Sequence, residues 1–431
     1  MENHSMWIQI NQPFSVPVEV RSVLTQLYDA GFEAYLVGGC VRDWIRGDQV
    51  KDYDVATSAT PDEVEKVFPK VIEVGRSFGV MKVIAENGRQ IEVATFRKES
   101  NYRDHRHPSK VEFSSILEDA SRRDFTVNAL YFDLKTGQVL DSFDGLKDIK
   151  FRVLRAIGDP EARFSEDALR LMRAVRFASR FGYVIEPKTE AAIIKLSPLI
   201  RKVSIERVRD EIEKILMSSR AREAVVLLQH LRLFENIFPE ISVAILEKKN
   251  TWDHTLAALD HLKENPTVEE SAFYLALIYL PILRKYPIDQ RAAHAQTIAE
   301  RLKLSKEQQQ LFTYLVQETA KFREVFSMRE ATLYRWMKHE SFPVLMRFHH
   351  LDALSFDGNQ AGLEFVERTY PEAKKRFEMK PLLTGDDLVK LGMHPGRKFT
   401  EILHSIEDLT MEGKFKTKDD ALEYVLQNFV S

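Results

Sequence analysis

The sequence predicts an α+β protein, with a small mixed α/β domain first and an all-helical remainder. Short apolar runs that read as strands, at Tyr35–Val37, Val71–Val74, Val80–Ala85 and Gln90–Phe96, alternate with helical stretches in residues 1–150. From Phe151 onward no further alternating strand pattern occurs, and apolar residues recur at helical spacing. At 431 residues the chain exceeds what one hydrophobic core serves. Its divisions read as 1–150, 151–216, 217–355 and 356–431.

Residues 17–30 place Val18, Val20, Val23, Leu24 and Leu27 on one helical face, and Gly31 stops the helix. The next stretch, Tyr35 to Thr57 (YLVGGCVRDWIRGDQVKDYDVAT), carries the most chemistry. Tyr35, Leu36 and Val37 form a buried strand, after which Gly38 and Gly39 let the backbone turn tightly and approach a bulky anion. Asp52 and Asp54 alternate with Tyr53 and Val55, so in an extended segment both carboxylates leave one face while the apolar pair anchors the other. Two adjacent carboxylates repel, and a divalent cation relieves the repulsion. Hard oxygen ligands with room for phosphate oxygens suit Mg2+ better than zinc, for which the stretch has no His or Cys cluster. A Gly-Gly turn, an Arg-Asp pair and a later Asp-x-Asp in this order resemble the signature of polymerase-β-like nucleotidyltransferases. Thr60-Pro61 then opens a helix to Phe68. Glu92, between Ile91 and Val93, either points at the same metal or is an exposed strand carboxylate.

Thr95 to Phe113 (TFRKESNYRDHRHPSKVEF) is polar and without a clean period, which reads as a mobile loop, either solvated or closing over substrate. Leu117 to Asp133 reads as a helix start carrying Arg122, Arg123 and Asp124, leading into a strand from Val127. Arg123 there suits a triphosphate, and Asp124 with Asn128 a ribose; a helix-end salt bridge is the plainer alternative. Arg163 to Arg180 (RFSEDALRLMRAVRFASR) reads as one amphipathic helix. Ala168, Leu169, Leu171, Met172 and Val175 cover one arc and Asp167, Arg170 and Arg173 the other, with Arg176 at the border. That face is either solvated or an acceptor set beside a fork of donors. Cytosine and adenine both present an amino donor beside a ring-nitrogen acceptor, whereas uracil and guanine present the reverse. An Asp-Arg pair therefore accepts C and A and rejects U and G without a nucleic-acid template.

Val203–Leu216 and Val225–Ile237 read as structural helices. Residues 282–304 and 321–337 mix basic and aromatic side chains (Arg284, Lys285, Tyr286; Lys321, Phe322, Arg323; Tyr334, Arg335, Trp336). An RNA-facing surface has this character, and so do snorkelling side chains on ordinary helices. The apolar fraction, 44%, and the charged fraction, 29%, exclude a mainly disordered chain. The single cysteine, Cys40, excludes an internal disulfide framework and indicates a reducing compartment. With no signal-like start and no apolar run that spans a bilayer, a cytoplasmic location without membrane contact is expected. A net charge of -3 gives no global attraction to nucleic acid, so RNA contact must come from local basic surface.

LVGGCVRDWIRG with DYDVAT, then RRDFTVNALYFD, GDPEARFSEDALRLMRAVRFASRFGY and IERVRDEIEKIL resemble the class II tRNA nucleotidyltransferase and bacterial poly(A) polymerase family over nearly all of residues 35–216. GDDLVKLGMHPGRKF resembles the tail of long members. The resemblance implies a polymerase-β-like nucleotidyltransferase head followed by an all-α neck, body and tail. It implies that Asp52 and Asp54 hold the catalytic metal, that Gly39 and Arg42 contact the triphosphate, and that Arg123 contacts the nucleotide. It further implies that Asp167 and Arg170 read the base and that Arg173 and Arg176 are additional nucleotide contacts. The implied substrates are the 3′ end and acceptor arm of tRNA with ATP and CTP, and the implied activity is addition of C, C and A. EDALR stands where poly(A) polymerases of this group often read EDPVR, their strongly basic C-terminal arm is missing, and the 95–113 segment is intact. These features favour CCA addition over poly(A), CC-only or A-only addition. An inactive RNA- or nucleotide-binding protein is the alternative from another class, against which both aspartates argue. Long members often carry a His-Asp phosphohydrolase domain, and TWDHTLAALDHL around His254 resembles its first motif. LALIYL stands where the His-Asp pair belongs, so helical scaffold without phosphatase activity is expected there.

Overall fold

The computed structural model describes residues 6–102, 108–242, 249–261, 271–356, 358–377 and 380–429. The chain forms two compact units, Met1–Ser242 and Val243–Ser431. The first opens with β1 (Met6–Gln9), α1 (Val18–Asp29), β2 (Ala34–Val37), α2 (Gly39–Arg46), β3 (Asp54–Thr57) and α3 (Pro61–Val67). Then come β4 (Val71–Gly75), β5 (Val80–Ile84), β6 (Gln90–Thr95), β7 (Arg97–Tyr102), β8 (Pro108–Phe113), α4 (Ile116–Ser121), β9 (Leu130–Phe132) and β10 (Gln138–Asp141). Eight of these strands make one mixed sheet in the order β1-β10-β9-β2-β3-β6-β5-β4. Every pairing in it is antiparallel except β3 with β6. That exception decides the chemistry, because strands that run together present Asp54 and Glu92 at the same level.

Local sequence explains the elements. Val20, Val23, Leu24 and Leu27 bury one face of α1, whereas Val18, in its first turn, is exposed. Gly38 turns β2 into α2 at φ 73°, a left-handed conformation that favours glycine. Thr60 and Glu63 form a capping box on α3. Val37, Ala56, Phe96, Ala120, Tyr131 and Leu140 form a core cluster in the sheet region.

The structure corrects several expectations from sequence. Within 95–113, expected to be a mobile loop, β7 and β8 pair as an antiparallel ribbon from Arg97 opposite Phe113 to Tyr102 opposite Pro108. The ribbon is a separate two-stranded sheet, formed by main-chain pairing that needs no apolar alternation in the sequence; its tip, 103–107, lies outside the described residues. The strand expected from Val127 starts at Leu130, after a 3-10 turn at Thr126–Asn128. The Asp124 carboxylate accepts from the Phe125 N–H (2.8 Å) and from Asn128 Nδ2 (2.9 Å), a local turn that competes with strand pairing. Beyond Phe151, β11 (Val153–Leu154) and β12 (Val184–Ile185) pair in parallel, too short to show alternation.

The rest of the first unit is helical: α5 (Gly145–Phe151), α6 (Pro160–Glu166), α7 (Leu169–Phe181), α8 (Pro187–Leu196), α9 (Ile205–Leu216), α10 (Ala221–His230) and α11 (Phe234–Ile237). The single helix read over Arg163–Arg180 is therefore two. Asp167 leaves helical geometry (φ -137°, ψ 102°), and its side chain accepts the Leu169 N–H at 3.1 Å, so the aspartate caps the second helix instead of continuing the first.

The second unit is helical throughout its described residues, from Lys249–His261 to Lys418–Phe429. Helix Ser271–Leu283, which contains LALIYL, is buried along nearly its whole length. His254 packs edge-on against Phe356 at 5.0 Å between ring centres. Leu383, Leu388, Ile402, Ile406, Ala421 and Val425 make a smaller core for the last helices. Among the described residues no helix is long and apolar enough to cross a membrane.

Candidate active site

A cavity of about 580 Å3 opens in the first unit where the sheet meets α2, α7 and α9. At one end are Asp54 and Glu92, register partners on β3 and β6. Burial, and then the neighbouring Glu92 charge, push the Asp54 carboxyl up to about 6, with Arg123 acting in the opposite direction. Asp52 stands apart from the cavity wall: it precedes β3 and is exposed, although its charge also raises Asp54. Two oxygen-donor side chains repelling across an accessible cavity fit a hard divalent cation. Among the described residues no group of three or more His, Cys, Asp or Glu side chains forms a metal cage.

The glycine turn lies beside this end. A Cβ on Gly38 would lie 3.2 Å from Arg123 Nη1, so the turn admits a guanidinium that a larger residue would displace. Arg42, on α2, is 4% exposed and donates to Asn128 Oδ1 (2.5 Å) and to Asp43 Oδ1 (2.6 Å). Arg123 donates through Nε to the Tyr131 hydroxyl (2.9 Å) and through Nη2 to Asp119 Oδ2 (3.2 Å). Asp119 also accepts from Arg122 (2.7 Å) and from the Tyr131 hydroxyl (2.6 Å). Burial pushes the Asp119 carboxyl up, but Arg123, Arg122 and Tyr131 outweigh it and hold the group at about 2.

The opposite wall is α7. Arg173 grips Asp124 with Nε and Nη2 (2.8 and 2.7 Å), and Arg176 pairs with Glu211 of α9 at 2.6 Å. Arg170 is 8% exposed and is tied to Glu166 (2.8 Å) and to the carbonyls of Arg163 and Arg122 (both 2.9 Å). Asp167 and Arg170 both line the cavity, but they are not neighbours on one helical face, since the chain breaks between α6 and α7 at Asp167. Asp167 is held instead by Arg207 Nη2 (3.0 Å).

Of the residues singled out by sequence, Gly39, Arg42, Asp54, Arg123, Asp167, Arg170, Arg173 and Arg176 all reach this cavity, and so does Glu92. Arg207, Glu211, Asp119 and Tyr131 were missed. The signal for Arg207 and Glu211 was their spacing of four on an amphipathic helix read as structural; nothing in the sequence links Asp119 to Arg123 beyond the same spacing.

The mixed sheet, the paired carboxylates and the arginine-lined wall are those of a nucleotidyltransferase. Residues 34–155 match the model of the poly A polymerase head domain, and residues 182–245 match the model described as the probable RNA and SrmB-binding site of polymerase A. The CCA-adding enzyme of Lactobacillus helveticus is 34% identical over 427 residues, covering 98% of this chain and 99% of that protein. The chain belongs to the family of CCA-adding enzymes. Among solved structures, the Bacillus stearothermophilus CCA-adding enzyme in complex with CTP superposes with a TM-score of 0.72 at 27% identity, over 95% of this chain and 97% of that one. The Thermotoga maritima CCA-adding enzyme complexed with tRNA shares the fold, with a TM-score of 0.65 at 21% identity over 96% of each chain.

Proposed function

We propose that this chain rebuilds the 3′ end of tRNA, adding C, C and A in turn from CTP and ATP without a nucleic-acid template and releasing pyrophosphate. The observation that carries the reading is the meeting, in one cavity, of Asp54 with Glu92, of Gly39 with Arg42 and Arg123, and of Asp167 with Arg170. Asp54 would hold Mg2+, the hard cation that suits carboxylates sharing a site with phosphate oxygens, with Glu92, its register partner, or Asp52, which stands outside the cavity wall, as the second carboxylate. A cation held by these carboxylates would supply charge neutralisation of the triphosphate and activation of the RNA 3′-hydroxyl that attacks the α-phosphorus, pyrophosphate leaving. Gly39 lets the α2 backbone approach the phosphates, and Arg42 and Arg123, each pre-set by its own hydrogen bonds, meet their oxygens.

Asp167 accepts the exocyclic amino group of C or A, and Arg170 donates to the neighbouring ring nitrogen. A matched pair of this kind is worth about 1–3 kcal/mol of discrimination. Leaving the buried groups unpaired against U or G costs about another 1–3 kcal/mol. Arg173 and Arg176, neutralised by Asp124 and Glu211, support the wall and stay near enough to meet phosphate. We assign residues 1–150 to the catalytic head, 151–216 to the neck, 217–355 to the body and 356–431 to the tail, and the whole to the cytoplasm.

The test uses tRNA transcripts ending before CCA, after CC and after CCA, with each nucleotide supplied separately. Addition of C, C and A followed by arrest is expected. Continued A addition marks a poly(A) polymerase, and arrest after CC marks a partial enzyme; either result overturns the reading.

A further inference from the structure

A second cavity, of about 780 Å3, lies wholly within the unit Val243–Ser431. The two basic-aromatic stretches around Arg284 and around Phe322-Arg323, well separated in sequence, meet in its wall, where Arg291 joins them. Asp352 pairs with Arg284, and Glu324 is the wall's other carboxylate. Arg291 is held by carbonyl oxygens, donating through Nε to Tyr286 (3.0 Å) and through Nη2 to Arg284 (3.3 Å). Burial lowers the Arg291 pKa, and the charges of Arg284 and Arg323 lower it further, so three cations act on one another with one carboxylate paired among them.

Aromatic side chains stand beside these groups in the lining. Phe356 is 43% exposed, with the Arg284 guanidinium 4.4 Å from its ring centre, and Phe326 is 64% exposed. Beneath them the buried His349 bonds Thr319 Oγ1 at 3.0 Å and stacks on Phe322 at 4.0 Å, which fixes the floor. Guanidinium groups above a rigid floor, next to open aromatic faces, match a ligand with an oxyanion at one end and a flat ring at the other. The volume falls within the range of small-molecule sites, roughly 300–1,000 Å3. An RNA strand uses arginines and aromatic faces too, and it is the enclosed volume that favours a small molecule over it.

We propose that this cavity is a second ligand site, separate from the catalytic one, for a phosphate-bearing small molecule of nucleotide size, with its phosphate on Arg291 and Arg323 and its ring against Phe356. The test is calorimetric titration of the full-length protein with ATP and with inorganic pyrophosphate, comparing the unchanged chain with Arg291→Ala/Arg323→Ala. The unchanged chain should show, beyond the event at the catalytic cavity, a second binding event that the double variant loses or weakens by about tenfold or more. Nucleotide addition to a saturating tRNA should be unaffected. Equal numbers and affinities of events in the two proteins overturn the proposal. So does unchanged phosphate binding with a raised KM for tRNA, which would make the cavity an RNA contact. If circular dichroism shows the double variant misfolded, Arg323→Glu, a single change at an exposed position, is judged by the same criteria.

Discussion

Asp54, half-buried, and Asp119, buried, are carboxylates whose acidity is displaced in opposite directions. The Asp54 carboxyl is pushed up to about 6 from 3.8, so without a cation its charged form is disfavoured in the fold. Its contribution to stability is present below about pH 4 and is lost as pH rises through 6. Asp54→Asn should therefore stabilise the metal-free protein at pH 8 by about 1–3 kcal/mol. The same change should abolish nucleotide addition and remove the Mg2+-dependent rise in Tm. Calorimetric scans with and without Mg2+ check this, and an undiminished Mg2+ effect in the variant would count against Asp54 as a metal ligand. Asp119 is held at about 2, below its unfolded value, so its stabilisation is present above pH 4 and is lost as pH falls from 4 to 2. Asp119→Asn should flatten the acid limb of the Tm profile and, by loosening Arg123, raise KM for both CTP and ATP. At this scale the sequence was legible where a residue itself lines the cavity, as at Arg42, Asp54 and Arg123, because the proposed chemistry restricts the residue type. Asp119 and Arg207 act by holding another side chain, and only folded geometry identifies which one.

At the scale of elements, the charged arc drawn over Arg163–Arg180 gathered the right residues on the wrong geometry. A helical wheel assumes continuity, and the capping aspartate that breaks it is also the residue of interest. The break turns Asp167 toward α9, where Arg207 takes hold of it. Arg207→Ala should then relax base choice in the same direction as Asp167→Ala, letting UTP or GTP compete. The double variant should be little worse than either single change, because both remove one interaction. Single-turnover incorporation of all four nucleotides decides it; additive losses would mean that Arg207 acts elsewhere. The 95–113 segment shows the reverse error, since its polar, aperiodic sequence concealed a ribbon formed by backbone pairing between β7 and β8. Arg97 ties that ribbon to the site through its N–H to Asp119 Oδ1 (3.3 Å).

For the whole molecule, the division into strands first and helices after was legible because periods of two and of 3.6 differ over long stretches. Sheet order was not, because nothing local records that β3 runs beside β6 or that β1 lies beside β10. The helical unit combines contacts between successive helices with a few long-range ones, such as Lys249–His261 against Phe342–Phe356, whereas the sheet depends on pairings such as β1 with β10 and β2 with β9, so the two should form at different rates. After dilution from denaturant, the far-ultraviolet helical signal should recover ahead of nucleotide addition. Simultaneous recovery would show that the head does not limit refolding. The pairing of Met6–Gln9 with Gln138–Asp141 has a consequence for the protein as it is made. During synthesis the first strand of the sheet must wait, unpaired, until its partner has left the ribosome. A ribosome that pauses before that point leaves a nascent chain with a strand edge open to the wrong partner, and the last stitch of the sheet is the one begun first.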